Sequence, residues 1–371
     1  MPLIYLDHNA TTPLDPAVLA AMMPYLMEEY GNPSSTHSLG KSSARAIAKA
    51  RAQMAALIGA SPAEIIFTGG GTEASNQVLR GYLRPGDHLI ISAIEHPATN
   101  QPAEHLRQMG CGVTIVSVDR YGLVDPDEVR RAVTSKTRLI SIMHSNNEIG
   151  TLQPVWELAA IAHGHGAKFH ADAAQSLGKV SLDVEDLGID FLTVAGHKLY
   201  APKGVGALYV RRGIELPAFI LGAGQEQGRR AGTENVPYIV ALGKAAEVAE
   251  LLLPKATEHL KSLRDRLEGR LRDGLGDRLV INGHPELRLP NTLNVSFLGC
   301  LGSELLEAVP GIAASTGAAC HEGHFIVSPI FQALSLPEAV ARGAIRLTVG
   351  RFTTTDEVDK AARLLIDAAK S

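Results

Sequence analysis

The sequence predicts an α/β fold: a large domain with a mostly parallel mixed sheet covered by helices, followed by a smaller α+β C-terminal domain. Three observations carry that expectation. Short, nearly continuous apolar runs rich in β-branched residues alternate with longer helical patterns, as in strands joined by crossover helices and buried on both faces. No fixed-period repeat or low-complexity tract interrupts them, which excludes solenoids and propellers. The chain has 371 residues, 45% hydrophobic and 20% charged, enough for about two domains with substantial cores.

In chain order, the expected strands are Glu64–Phe67, His88–Ser92, Gly112–Val118, Thr137–Met143, Lys168–Asp172, Phe191–Val194 and Gly206–Val210, short β-branched runs. Between them lie the expected helices Thr72–Arg80, His96–Met109, Asp125–Val133 and Val155–His163. Past about Ala231 the pattern changes. A long helical stretch runs from Tyr238 to Leu275, with Pro254 an expected break or kink. Strand-like segments follow at Thr292–Phe297 and Ala344–Thr348, and a last helix starts at Thr355. These shifts place a boundary near residue 255, dividing a large domain, 15–255, from a small one, 256–371. Open α/β sheets bind ligands at strand carboxyl ends, so motifs just after strands matter most.

Charge and composition narrow the partners. Lys and Arg number 35 against 39 Asp and Glu, a formal charge of −4 with no basic stripe, so nucleic acid is not an expected partner. Aromatic residues at 5%, with a single Trp, argue against base-stacking platforms. Asp7 interrupts the N-terminus before any apolar run develops, and no run approaches ~18–20 apolar residues, so neither a signal peptide nor a membrane span is expected. Three cysteines, Cys111, Cys300 and Cys320, cannot build a disulfide framework, which predicts a reducing compartment and a cytoplasmic protein.

Three constellations follow expected strands. F-T-G-G-G-T-E, from Phe67 to Glu73, lets backbone amides approach an anion at an electropositive helix start; a plain glycine turn capped by Thr72 is the alternative. It is neither G-x-G-x-x-G nor a Walker A loop. K-F-H-A-D-A-A-Q ends a strand on Asp172, a carboxylate able to pair with a cationic ring nitrogen or a metal, or simply to cap a helix. T-V-A-G-H-K places Lys198 at a strand end, where desolvation would lower its pKa and let it form a Schiff base; taken alone, such a residue is more often a solvated surface lysine. Together, a phosphate cradle, an acid for a ring nitrogen and a Schiff-base lysine are what pyridoxal phosphate requires. The competing reading is a metal-dependent hydrolase built on His163, His165, His170 and Asp172. His163 and His165 flank Gly164 where a helix ends, and such histidines more often cap the terminus.

These residues resemble the class V aminotransferase group of fold-type-I pyridoxal-phosphate enzymes and, within it, the cysteine desulfurase and selenocysteine lyase family. The resemblance covers nearly the whole chain: Y-L-D-H-N-A-T-T-P from Tyr5, G-N-P-S-S-T-H from Gly31, the glycine loop, I-E-H-P from Ile94 and H-S-N-N-E-I-G from His144. It continues through H-A-D-A-A-Q, G-H-K, R-R-A-G-T-E-N from Arg229, S-T-G-A-A-C-H from Ser315 and I-R-L-T-V-G-R-F-T from Ile345. It implies pyridoxal 5'-phosphate held by Lys198, which also moves the Cα proton. Asp172 would pair with the pyridine nitrogen, Gln175 with the phenolic oxygen, and His96 would stack on the ring as a candidate acid/base. Thr72, the Gly71 backbone and His197 would hold the phosphate. Thr233 matches a threonine reaching the neighbouring subunit's phosphate, which implies a homodimer. Asn147 and Arg346 would position the substrate, Arg346 as a bidentate clamp on its carboxylate. Segment 1–14 would pack with the small domain, and no metal is implied. Ala195 and Gly69 stand where many relatives carry serines, so the phosphate would lean on Thr72, His197 and Thr233.

Cys320 matches the family's mobile-loop cysteine, and His321 and His324 beside it would favour the thiolate. Cys111 and Cys300 read as packing residues. The implied reaction converts L-cysteine to L-alanine, with sulfur passing to Cys320 as a persulfide and then to an acceptor protein. Release of selenium from L-selenocysteine is the alternative, since both activities share these residues. A non-catalytic scaffold is disfavoured by the joint presence of Lys198, Asp172, His96 and Cys320.

Overall fold

Residue 15 begins the first helix because its side chain can do what the helix's own first amides cannot. Asp15 accepts the amide of Ala17 at 2.8 Å, and Pro16 occupies the first turn, where a missing N–H costs nothing. The computed structural model describes residues 3–316, 318–321 and 324–371, with the side chains of 318–321 and 324–326 left outside the description.

A short strand β1 (Ile4–Tyr5) precedes α1 (Pro16–Met27) and α2 (Ser38–Leu57). Then come β2 (Ile65–Thr68), α3 (Gly71–Tyr82), β3 (His88–Ser92), α4 (Pro97–Gln108), β4 (Gly112–Val116), α5 (Pro126–Ala132) and β5 (Thr137–Ser141). After α6 (Val155–Gly164), β6 (Lys168–Asp172), β7 (Phe191–Ala195) and β8 (Gly206–Val210) complete one seven-stranded sheet ordered β2-β8-β7-β6-β5-β3-β4. Six strands run the same way, and β8 opposes both of its neighbours. Side chains alternate across it: Ile65, Phe67 and Ile90 enter one core, while Ile66, Leu89 and Ile91 enter the other. Both faces are therefore buried, which is why these strands read as continuous apolar runs.

The 40-residue α7 (Val236–Leu275) passes through Pro254 without ending. The expected break there is not made. Packing carries the helix across: Ile239, Leu242 and Ala246 sit in the large-sheet core, and Leu260, Leu263, Leu267 and Leu271 in a second core. That second core takes side chains from β9 (Leu279–Asn282), β10 (Thr292–Phe297), β11 (Ile312–Ala313) and β15 (Ala344–Thr348); β12 (Ser315–Thr316), β13 (Ala318–His321) and β14 (His324–Val327) lie between β11 and β15 in the chain. An antiparallel sheet orders β12-β15-β10-β9, and β13 pairs with β14 as a separate hairpin. β1 pairs in parallel with β11, and Ile4 and Leu6 enter the second core.

The expected strands ending at Val118 and Met143 stop at Val116 and Ser141, and α1 and α2 are helices the pattern did not reveal. Along α1, Leu19, Met23, Leu26 and Met27 are exposed and Pro24 lies inside, so no polar outer face marks it. Among the described residues no helix is long and apolar enough to cross a membrane.

Candidate active site

Because the strands flanking the sheet centre run in parallel, their carboxyl ends meet along one edge. β6 ends on Asp172; β7 leads into the single turn Gly196–Lys198; β3 leads to His96; β2 leads to the glycines before α3. A cavity of about 340 Å³ opens there, lined by Thr72, His96, Asp172, Gln175, His197 and Lys198, with Gly71 and Asn147 also on its wall. Eight of the residues singled out from sequence thus converge at one place. Arg346 stands beyond Asn147, whose carbonyl accepts its Nη1 at 3.2 Å. Thr233 is exposed and lies off this wall. Cys320 lies on β13 opposite Phe325, with its side chain outside the described atoms, as are those of His321 and His324.

Lys198 donates through Nζ to the carbonyls of Asn9 and, at 2.7 Å, Ala10. Burial and the Arg346 guanidinium bring its pKa down to about 8, against the opposing pull of Asp7 and Asp172. Asp172 accepts the Ala174 amide at 2.9 Å, yet burial pushes its carboxyl up. A carboxylate so placed stays charged most readily beside a cation, the property required of a partner for a protonated ring nitrogen. His96 caps α4, its Nδ1 accepting the Ala98 amide at 3.1 Å, and burial holds its pKa low. His197 is brought to about 4 by burial and the neighbouring Lys198 and Lys203, so it faces the cavity as neutral imidazole, its Nδ1 3.2 Å from Thr11 Oγ1.

The glycine loop is shaped for an anion. Gly70 sits at φ 148°, where a Cβ is disfavoured, and α3 begins at Gly71 with first-turn amides that no preceding turn can accept. A Cβ at Gly206 would stand 2.5 Å from the Val194 carbonyl and 2.8 Å from Gly70 Cα. Gly206→Ala is therefore expected to destabilise the fold by about 1–3 kcal/mol, read as a lower denaturant midpoint, and to displace the loop. An unchanged midpoint would show that the contact relaxes freely. A lysine of lowered pKa, a buried carboxyl and an anion cradle at one cavity fit pyridoxal phosphate.

The four proposed metal ligands do not meet. His163 bonds Asp190 at 2.8 Å, His165 the Ile161 carbonyl at 2.9 Å, and His170 spans Ser141 and Thr193 inside the sheet. Among the described residues no group of three or more His, Cys, Asp or Glu could hold a metal.

Sequence reasoning missed Asp7, Asn9 and Lys179. Asp7 Oδ1 accepts from Arg346 Nη2 at 2.7 Å and from Ser315 Oγ at 2.9 Å, while Arg346 Nε is buried without a partner. Asn9 joins Lys198, Gln175, Lys179, Asn291 and Thr292. For Asp7 and Asn9 the signal was the Y-L-D-H-N-A-T-T stretch, which carries the resemblance and is expected to pack with the small domain, with no site role given to its individual residues.

A model of the family described as aminotransferase class-V matches residues 4–361. The chain is 45% identical over 370 residues to cysteine desulfurase 2 of Trichormus variabilis, covering 98% of this chain and 92% of that protein. Among solved structures, a NifS-like protein superposes with a TM-score of 0.93 at 36% identity, covering 99% of both chains. SspA in complex with cysteine superposes with a TM-score of 0.83 at 34% identity, covering 94% of this chain and 99% of that one. With the fold, the cavity and these likenesses in agreement, the chain belongs to the aminotransferase class-V family, as one of its pyridoxal-phosphate-dependent cysteine desulfurases.

Proposed function

We propose that Lys198 carries pyridoxal phosphate and that Cys320 receives the sulfur of L-cysteine as a persulfide, with L-alanine as the other product. The observation that carries this reading is the meeting of Lys198, Asp172, Gln175 and His96 on one cavity below the glycine loop. When bound, pyridoxal phosphate supplies an electron sink that acidifies the substrate Cα–H and weakens its Cβ–S bond. Asp172 holds the proton on the ring nitrogen, and His197, Thr72 and the Gly71 amide hold the phosphate. Arg346 and Asn147 orient the substrate carboxylate, and Lys198 Nζ takes and returns the proton at Cα. The Cys320 thiolate attacks the substrate sulfur: the new S–S bond forms as the Cβ–S bond breaks, and a proton delivered to Cβ completes alanine. The site is completed in a homodimer through Thr233 of the other subunit, and the persulfide is passed to an acceptor protein in the cytoplasm, whose reducing conditions keep Cys320 free. SspA, a structural relative, is described in complex with cysteine, which supports cysteine as the substrate.

The decisive experiment is borohydride reduction of the loaded enzyme followed by peptide mapping. Cofactor fixed on Lys198 supports the reading; a colourless protein after incubation with pyridoxal phosphate refutes it. The Lys198 pKa adds a pH test. Only the neutral amine attacks the cofactor's carbonyl carbon, so the rate at which Lys198 takes it up is expected to rise about tenfold per pH unit below about 8 and to level off above that value. An ordinary lysine would keep rising to about pH 10.4. Stopped-flow absorbance on the cofactor-free protein distinguishes the two.

A further inference from the structure

Behind the cavity lies a second buried lysine with no part in the chemistry above. Lys179 is 5% exposed, and it is held by two amide oxygens rather than a carboxylate: Nζ donates to Gln175 Oε1 at 3.1 Å and to Asn9 Oδ1 at 3.3 Å. Burying an ammonium is costly unless something is gained for it. Its desolvation, with Lys198 and Arg346 adding repulsion, brings it down to about 7.

The bonds around it have defined donors and acceptors. Gln175 Nε2 donates to the Asn9 carbonyl at 2.9 Å. Asn9 Nδ2 donates to Thr292 Oγ1 at 2.9 Å and to the Asn147 carbonyl at 3.2 Å. Asn291 Nδ2 donates to Asn9 Oδ1 at 3.0 Å and to the Val349 carbonyl at 3.3 Å. An ammonium can only donate and a backbone carbonyl can only accept, so Lys179 and the Asn9 carbonyl between them fix the Gln175 amide, with Oε1 toward the lysine and Nε2 toward the carbonyl. A turned Gln175 amide would set NH2 against the ammonium and Oε1 against the Asn9 carbonyl.

We propose that Lys179 is a positioning residue acting through Gln175: by occupying Oε1 it keeps the amide's Nε2 as the group that meets the cofactor's phenolic oxygen. This rests on the placement of pyridoxal phosphate at Lys198. Nε2 carries two hydrogens; one goes to Asn9, and the other is left for the cavity that Gln175 lines. A donor on the phenolic oxygen draws charge from it, weakens its hold on the neighbouring imine proton and so lowers the pH at which that proton leaves. Lys179 thereby sets both cofactor affinity and the titration of the Lys198 linkage without touching the cofactor.

The test is a double-mutant cycle on the holoenzyme, read as the pH midpoint of the cofactor's absorbance and as its dissociation constant, not as turnover. Lys179→Met is expected to raise the midpoint by about half to one pH unit and to weaken cofactor binding about three- to tenfold. Gln175→Leu is expected to produce changes of at least that size, and adding Lys179→Met to it to change neither quantity further. An unchanged midpoint in Lys179→Met, or additive effects in the double variant, would overturn the proposal, since additivity means the lysine acts by its charge alone. Should the methionine variant not fold, Lys179→Gln is read the same way, because an amide free to turn no longer dictates the Gln175 orientation. Borohydride mapping separates the two layers. A label away from Lys198 refutes the cofactor placement, whereas a label on Lys198 with an unmoved midpoint refutes the role of Lys179.

Discussion

Lys198→Ala is expected to lose cysteine desulfurase activity by at least about a thousandfold while keeping the fold. General acid–base groups contribute about a hundred- to ten-thousandfold on their own, and here one nitrogen serves both as the cofactor's anchor and as the base at Cα. The position suits both tasks. Lys198 ends the single turn after β7, so its backbone is fixed by a buried strand while its side chain lines the cavity shared with Thr72 and His96. Burial and Arg346 lower its pKa to about 8, leaving a sizeable neutral fraction near neutral pH. Arginine cannot copy this, because a guanidinium does not deprotonate in this range; Lys198→Arg is expected to be as inactive as the alanine variant. A small primary amine added to Lys198→Ala supplies the missing base and should restore part of the rate with a dependence on its own basicity. Alanine formation from cysteine is the assay. Near-normal turnover in Lys198→Ala would remove the lysine from the chemistry. The Lys198 ammonium hydrogen-bonds the carbonyls of Asn9 and Ala10 at the cavity rather than filling a core, so the thermal midpoint of the cofactor-free protein should barely move.

How much of this was legible in the sequence depends on what each feature relies on. Three strands of the large sheet, His88–Ser92, Lys168–Asp172 and Gly206–Val210, match the structure residue for residue, because burial on both faces favours short, nearly continuous apolar runs. Asp172 and Lys198 were legible for the same reason: each follows such a run directly. α1 was not, because its outward Leu19, Met23 and Leu26 hide the amphipathic contrast that marks a helix. Pro254 does not end the helix, because local propensity says nothing about the two cores that carry α7 past it. Asn9 and Lys179 were beyond reach from the residues alone. Asn9 meets residues some 140 to 280 positions away, through bonds to Asn147 and Thr292 among others, and no local pattern encodes such a meeting.

Cys320→Ser is expected to lower alanine formation from cysteine by at least about a thousandfold with the cofactor spectrum intact. The argument is one of placement. β12 pairs with β15 so that Ser315 lies opposite Arg346, and Ser315 Oγ accepts from Arg346 Nη2 at 2.9 Å while donating to Asp7. The strand leading toward Cys320 is thus pinned to the side chain assigned to the substrate carboxylate. Cys320 comes five positions after Ser315, at most about 17 Å of extended chain, a length that lets the β13–β14 hairpin bring a thiol to a substrate sulfur held beside Arg346. A serine hydroxyl at that point has nearly the same size but is no acceptor for a sulfur atom, so the substrate still binds and still changes the cofactor's absorbance while the Cβ–S bond stays whole. Mass spectrometry of the wild-type Cys320 peptide after one turnover should show the addition of one sulfur atom, absent from the variant. Selenocysteine separates the two substrates: its selenium leaves more readily, so a Cys320→Ser enzyme that still makes alanine from selenocysteine but not from cysteine confines the thiol's role to sulfur. Unimpaired alanine formation from cysteine in the variant would show that sulfur leaves without Cys320, and the persulfide would have to be sought elsewhere on the chain or not at all.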